Sequence, residues 1–152
     1  MDVKNNNQPF IEAINLLIEI NNSREAAYNS VAEETQGSTM KSLFSRLAET
    51  SRDCKHELSS ELRRLGGIKE ELPLLKLYLP WEDLKHMDVK NNRKLVFSSC
   101  EFCDRMARKA YEDALDKAEI TALSDKALIN NQYFMIIEDM NKVSNLKKAF
   151  IS

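Results

Sequence analysis

The feature that most constrains the fold is a set of four long segments in which apolar residues recur every three or four positions. This spacing places the apolar side chains on one face of a helix, so each segment predicts a long amphipathic helix. The predicted helices cover residues 9–35, 38–65, 92–118 and 124–150. Together they predict an all-α protein.

Residues typical of helix ends lie at the borders of these segments. Pro9 suits the first turn of a helix, where no backbone N–H is needed. Ser38 and Ser124 are the predicted N-caps of the second and fourth helices. Gly37 and the pair Gly66-Gly67 are the predicted left-handed stops of the first and second helices.

The lengths of the connections predict how the helices are arranged. Very short links join the first helix to the second and the third to the fourth, so each pair must pack as an antiparallel hairpin. A long crossover, residues 66–91, joins the hairpins and contains a predicted short helix at 80–86. This order is that of a ferritin-like four-helix bundle, which we predict as a single domain over residues 1–152.

An internal echo accompanies the two hairpins. The sequence of residues 1–6 recurs at residues 87–92, just before the first helix of each hairpin. Tyr28 and Tyr111, each preceded by alanine, hold similar places in these two helices. Two related hairpins would explain the echo, as would shared use of one helix-entry segment.

The amino-acid composition limits which folds and which binding partners are expected. Only 3 glycines and 3 prolines occur in 152 residues, too few for a turn-rich β fold. The net charge of −2 gives no excess of basic residues that would attract nucleic acid or an anionic membrane. The mean hydropathy is −0.46, and there is no apolar signal segment or membrane span. With 3 cysteines, the chain is expected in a reducing, cytoplasmic compartment.

The predicted fold indicates where metal ligands would lie. Ferritin-like di-metal proteins place inward glutamates on two helices and an inward Glu-x-x-His on each of the other two. Glu25 lies about 30° and Asp104 about 55° from the centres of their apolar stripes. With Glu57 or Glu61 they could form a reduced carboxylate site for iron or manganese. Alternatively, Glu25 and Asp104 are polar residues at helix seams, hydrogen-bonded to neighbours or to water.

The remaining ligands of a di-metal site are missing. Asp53 and His56 have acid-x-x-His spacing but lie about 135° and 165° from the stripe centre, so they should face solvent. Turning the helix to bury them would expose leucines, at about 1.5–3 kcal/mol each. The fourth helix has no histidine, Glu138 points away, and Asp139 is at best on the flank. The sequence therefore supplies about half of such a site.

The cysteines and charged residues have ordinary structural interpretations. Cys54, Cys100 and Cys103 fall on apolar stripes, so core packing is the default, with redox or metal chemistry of the C-x-x-C pair as the alternative. Basic residues, Arg24 among them, are interleaved with acids and predict solvated faces. No phosphate-binding loop or nucleophile triad is present, which favours a protein that is not an enzyme.

Several stretches together resemble an uncharacterised bacterial family of ferritin-like four-helix bundles, classed as a domain of unknown function. The similar stretches are Leu16–Arg24 with Tyr28, Leu43–Glu49, Glu57–Gly67, Trp81 with Leu84-Lys85, Cys100-Glu101, Asp104, Ala107 and Ala110–Glu112. The resemblance covers most of the chain. It implies a bundle with a crossover and kinship to ferritins and rubrerythrins, but no activity.

The chain also departs from that family. Where members often carry an aspartate in the first helix this sequence has Ser23, and where they often carry an inward histidine in the fourth it has Met140. Both departures remove metal ligands. We therefore favour a non-enzymatic bundle without a cofactor, related to stress or acting as an interaction scaffold, as a homodimer or larger homo-oligomer. The apolar crossover either is its contact surface or caps the bundle. The reduced metal site is the alternative hypothesis.

Overall fold

A computed structural model describes residues 3–68, 83, 85–88, 91–117 and 123–151. The described residues form four long α-helices and no β-strand. The helices are α1 (Val3–Glu34), α2 (Ser38–Arg64), α3 (Arg93–Lys117) and α4 (Leu123–Ile151). The prediction of an all-α, four-helix protein is therefore confirmed. In this part of the chain, no helix is apolar over a stretch long enough to cross a bilayer.

The helix ends differ from the predicted ones at four positions. One is Ser124, predicted as the N-cap of α4, which is already helical because α4 begins at Leu123. α1 begins at Val3, so Pro9 lies inside the helix rather than in its first turn. The prediction that Ser38 caps α2 is wrong, because Gly37 is the N-cap and Ser38 is already helical. Gly37 is also not a left-handed stop, since its φ is −82° and its backbone is extended. The extended conformation is the usual one at an N-cap, so Gly37 starts α2 rather than ending α1.

The predicted stop at the end of α2 is confirmed. Gly66 has φ of +74°, and its N–H donates to the Arg63 carbonyl at 3.0 Å. The Gly67 N–H donates to the Leu62 carbonyl at 2.9 Å. These two bonds are a Schellman-type ending, which uses the last free carbonyls of the helix. A Cβ atom on Gly67 would lie 2.5 Å from Leu62 Cδ1, so Gly67 also permits close packing.

Contacts between the helices fix the direction of α1 relative to its neighbours. The tight loop at residues 35–37 turns the chain back, so α1 and α2 form an antiparallel hairpin. On its other side α1 contacts α3. Asn21 bonds to Tyr111, whereas Tyr28, further along α1, bonds to Asp104, earlier on α3. α1 and α3 are therefore antiparallel too.

The fourth helix closes the bundle. α4 contacts both α2 and α3 and is antiparallel to each. Along the α2–α4 seam, Cys54 bonds to Gln132 and Arg64 bonds to Asp125, so residue numbers rise on one helix as they fall on the other. Since α2 and α3 are each antiparallel to α1, they point the same way. They lie across one diagonal of the bundle, and α1 and α4 lie across the other.

The core is made by the predicted apolar stripes. Phe10, Leu17, Leu58 and Ile136 are among the side chains that the four helices bury completely or nearly so. Phe44 lies at one end of the core with its ring centroid 6.1 Å from that of Tyr28 and 6.0 Å from that of Phe97. The apolar faces of all four helices therefore point inward, as their amphipathic periodicity predicted.

Most of the predicted crossover, including Trp81 and its leucine-rich apolar stretch, lies outside the described residues. The described part near its end touches the bundle, because Ser30 Oγ donates to the Lys85 carbonyl at 2.6 Å and Met87 packs against the core.

Candidate functional site

The most unusual feature of the bundle is a charged side chain at its centre. Arg24 has no exposed surface, although the sequence predicted it on a solvated face. That prediction is wrong. Arg24 lies three residues after Asn21 and four before Tyr28, so all three project from the inner face of α1.

The guanidinium of Arg24 connects three helices. Its Nη2 donates to Asp104 Oδ1 on α3 at 3.1 Å, and its Nη1 donates to Ser51 Oγ on α2 at 3.1 Å. Tyr28 Oη donates to the same Asp104 oxygen at 2.6 Å. Asp104 is fully buried, rather than at the edge of the core as predicted. The pairing with Arg24 explains this burial, since an unpaired carboxylate would be too costly there.

A second set of polar side chains continues toward α4. Asn21 Nδ2 donates to Tyr111 Oη at 2.8 Å, and Tyr111 in turn donates to Gln132 Oε1 at 2.7 Å. Gln132 Nε2 donates to the Cys54 carbonyl at 3.2 Å and to Glu57 Oε1 at 3.4 Å. This set therefore links all four helices. We call the two sets together the core polar network.

The two halves of the core polar network mirror each other. Asn21 precedes Tyr28 by two helical turns, and Asp104 precedes Tyr111 by the same interval. Each tyrosine hydroxyl bonds to the polar residue of the opposite helix. The two hairpins, which share a repeated sequence before their first helices, therefore also make matching polar contacts inside the bundle.

Several buried polar atoms of the core have no hydrogen-bond partner within the described part of the chain. They are Asn21 Oδ1, Arg24 Nε, Asp104 Oδ2 and Asp139 Oδ2. Asp139 is only 3% exposed, so its predicted position on the flank of α4 is wrong. Buried polar groups are usually satisfied, and an exception draws attention to the group concerned.

Burial shifts the ionisation of these groups. It raises the pKa of Asp104, although the Arg24 charge and the Tyr28 hydrogen bond oppose the shift. For Arg24, burial alone lowers the pKa, but Asp104 and the neighbouring groups outweigh it and the pKa lies above its usual value. Burial raises the pKa of Asp139 to about 6. The 3.1 Å contact between Arg24 Nη2 and Asp104 Oδ1 makes these two a buried ion pair, and Asp139 is a third buried ionisable group that interacts with them electrostatically.

The four candidate metal ligands have separate partners. Glu25 is half-buried at the α1–α2 seam, where its Oε1 lies 2.6 Å from Lys55 Nζ. Asp104 pairs with Arg24, and Glu57 accepts the bond from Gln132 described above. Glu61 pairs with Arg64, which also reaches Asp125 at 2.6 Å. Within the described ranges, no group of three or more His, Cys, Asp or Glu side chains is arranged to hold a metal ion.

Asp53 and His56 are both exposed, as the angular argument predicted. The acid-x-x-His spacing on α2 therefore belongs to the surface.

All three cysteines are buried free thiols, as predicted for core residues. Burial raises the pKa of Cys54 and of Cys103 to about 12, and that of Cys100 well above its ordinary value. Since the thiolate is the reactive form, these values favour packing over redox chemistry.

Sequence reasoning missed Arg24, Gln132 and Asp139 as parts of the interior. The signal was present in their spacing, because Gln132 lies three residues after Ile129 and four before Ile136, both buried. A polar residue at such a position belongs to the core face, whatever its own hydropathy.

The chain matches the family model described as "Domain of unknown function (DUF2383)" over residues 10–117. The chain belongs to the DUF2383 family. The matched residues include α2, α3 and most of α1, and with them Arg24, Tyr28, Asp104 and Tyr111. In this DUF2383 protein, Gln132 is the residue of α4 that belongs to the core polar network, and it lies beyond the matched region. No match among curated proteins was found.

Proposed function

We propose that this protein is a non-enzymatic helical bundle with ferritin-like connectivity, acting as an interaction scaffold in a stress-related role. The observation that carries the proposal is the Arg24 guanidinium at the bundle centre, bonded to Asp104 and Ser51. It supports a rigid core in which Arg24 neutralises Asp104 and a di-metal site is incomplete.

The chemistry of Arg24 argues against a bound metal cation at this position. Arginine stays protonated under all ordinary conditions, so its positive charge is permanent. A divalent cation a few ångströms away would be repelled, and the repulsion is strong where water is excluded. A metal at Asp104 would also have to displace an existing ion pair at 3.1 Å. Arg24 thus supplies the positive charge that a metal would supply elsewhere.

The helix directions support the ferritin-like connectivity. α2 and α3 are parallel, so the chain that leaves the end of α2 must return along the bundle before α3 begins. A helix of about 25 residues is roughly 38 Å long, which sets the distance to be covered. The connection from residue 65 to residue 92 is long enough, since an extended chain reaches about 3.3 Å per residue.

A scaffold is expected to present a surface to copies of itself or to other proteins. The crossover sequence is more apolar than one connection can bury alone, so its apolar residues either cap the bundle or form a contact surface; they are Leu72, Leu74, Leu75, Leu77, Tyr78, Leu79 and Trp81. We expect a homodimer or larger homo-oligomer. Light scattering at tens of micromolar tests this expectation, and a strictly monomeric mass would contradict it.

The alternative is an iron or manganese site on Glu25, Asp104, Glu57 and Glu61, and one experiment separates the two functions. The protein is purified without chelators, and iron and manganese are measured by mass spectrometry before and after incubation with each metal in anaerobic buffer. We expect much less than one metal per chain. Stoichiometric iron in the wild type that disappears in Glu25→Ala, but not in the exposed control Glu138→Ala, would establish the alternative.

A further inference from the structure

Asp139 is a buried carboxyl group that the core polar network does not employ. It lies on α4 with 3% of its surface exposed, and its Oδ2 atom has no hydrogen-bond partner among the described residues. Carboxyl groups in such surroundings are normally paired or neutral, because an ionised one loses its hydration without compensation. Its ionisation state therefore depends on the charges that face it.

Those charges come from all four helices. Arg24 on α1 and Asp104 on α3, both buried like Asp139, act on it electrostatically. Arg46 on α2 and Lys142 on α4 itself also act on it, but Arg46 is exposed and Lys142 partly so. Solvent screens those outer two, so the inner pair matters most.

Counting the charges of Arg24, Asp104 and Asp139 leaves one negative charge too many. The third buried carboxyl group, Asp125, does not enter this count, because it pairs with Arg64 at 2.6 Å. Among the described residues, Arg24 is the only buried cation, and Asp104 already holds it at 3.1 Å. With Asp139 also ionised, two buried carboxylates would be balanced by one buried guanidinium. Like charges in such a site disfavour the second ionisation, so a proton on Asp139 restores neutrality.

We propose that Asp139 is a proton-binding site of the bundle core, neutral in mildly acidic solution and ionised above neutrality, which makes the fold acid-responsive. The bundle is more stable when the proton is bound, because the interior then carries no net charge. This proton site does not depend on the scaffold function proposed above.

The direction in which the Asp139 pKa is shifted agrees with the charge count. Burial raises the pKa of Asp139 to about 6, the negative charge of Asp104 raises it further, and Arg24 opposes both. In the unfolded chain an aspartate has a pKa near 3.9, so between these values the folded state binds the extra proton. Stability therefore rises as the pH falls through the window from about 7 to 4. From pH 7.5 to 5.0 the unfolding equilibrium constant should fall about tenfold from this group.

The test compares unfolding of three full-length proteins in guanidinium chloride at pH 5.0, 6.0 and 7.5. They are the wild type, Asp139→Asn, which mimics the neutral carboxyl group, and Asp53→Asn, a matched change at an exposed aspartate. His56 and His86 are retained in all three, so the difference between the proteins isolates the aspartate. The tenfold change is expected in the wild type and in Asp53→Asn and should be absent in Asp139→Asn.

A direct measurement keeps the proposal falsifiable if Asp139→Asn does not fold. In wild-type protein labelled with carbon-13 aspartate, the Asp139 carboxyl resonance should titrate between pH 5 and 7.5. A resonance that stays constant over this range would overturn the proposal. An Asp139→Asn protein that keeps the full pH dependence would do the same.

Discussion

Replacing Arg24 by methionine tests how much the ion pair between Arg24 and Asp104 stabilises the folded bundle. Methionine matches the aliphatic stem of arginine but removes the guanidinium, which leaves the Asp104 carboxylate buried without its counter-charge. Removing one partner of a buried ion pair typically costs about 3–5 kcal/mol. The upper part of this range is expected here, because both side chains have 0% exposure and Ser51 also loses its donor.

A second variant separates the charge from the packing. In Arg24→Met/Asp104→Asn the buried Arg24–Asp104 pair is gone, and Asp139, which can bind a proton, is the carboxyl group that remains beside it. The amide oxygen introduced at position 104 can still accept the Tyr28 hydroxyl. Because most of the penalty comes from an uncompensated charge, the double variant should recover at least about 2 kcal/mol of the loss. The matched control is Arg52→Met on the surface of α2, where the side chain is 51% exposed and its partner Glu49 is 4.0 Å away. That change should stay within about 0.5 kcal/mol.

The assay is equilibrium unfolding in guanidinium chloride at pH 7.5, followed by circular dichroism at 222 nm. The three variants and the wild type are compared at equal concentration, since an oligomer would make stability depend on it. An Arg24→Met protein destabilised by less than about 1 kcal/mol would refute the reasoning, because a solvated arginine costs no more than that to remove. So would a double variant no more stable than the single one, which would place the cost in packing rather than charge.

Three further outcomes are expected. Tyr28→Phe removes the 2.6 Å bond to Asp104 and should cost about 1–3 kcal/mol in thermal or chemical unfolding. A Tyr28→Phe protein as stable as the wild type would show that this bond contributes nothing. Gly66→Ala places a side chain at φ of +74° and should cost about 1–2 kcal/mol, measured as a shift in unfolding midpoint, whereas Gly37→Ala, at φ of −82°, should cost less. Equal losses in the two would contradict the left-handed ending of α2. Finally, the three buried thiols should react with a disulfide reagent at pH 8 only after unfolding, and rapid reaction of Cys100 or Cys103 in the native protein would revive a redox role.

Predicting this fold from sequence succeeded where a pattern repeats many times. The apolar stripe of α2 was long enough to predict correctly that Asp53 and His56 are exposed. The stop at Gly66 was also predictable, because few residues other than glycine adopt its conformation. Helix starts were less predictable, since Ser38 is a good cap by residue type but the chain used Gly37.

The pairing of polar residues in the interior was beyond the reach of periodicity, although the spacing of Gln132 places it on the core face. Hydropathy treats Arg24 and Asp139 as surface residues, and it treats Glu25 and Arg24 alike although one lies at a seam and the other at the centre. A buried arginine becomes favourable only when Asp104 from another helix is within 3.1 Å, and that distance exists only in the assembled bundle. The sequence contained both residues but could not indicate their pairing.

The sequence by itself determined that this chain forms four long helices with their apolar faces inward, because helix periodicity is a local property repeated along each segment. Only the tertiary structure decided which polar residues share the interior and which charge each one carries. Those outcomes depend on side chains far apart in sequence, such as Arg24, Asp104 and Asp139, whose mutual distances and shared exclusion of water arise only when the helices pack.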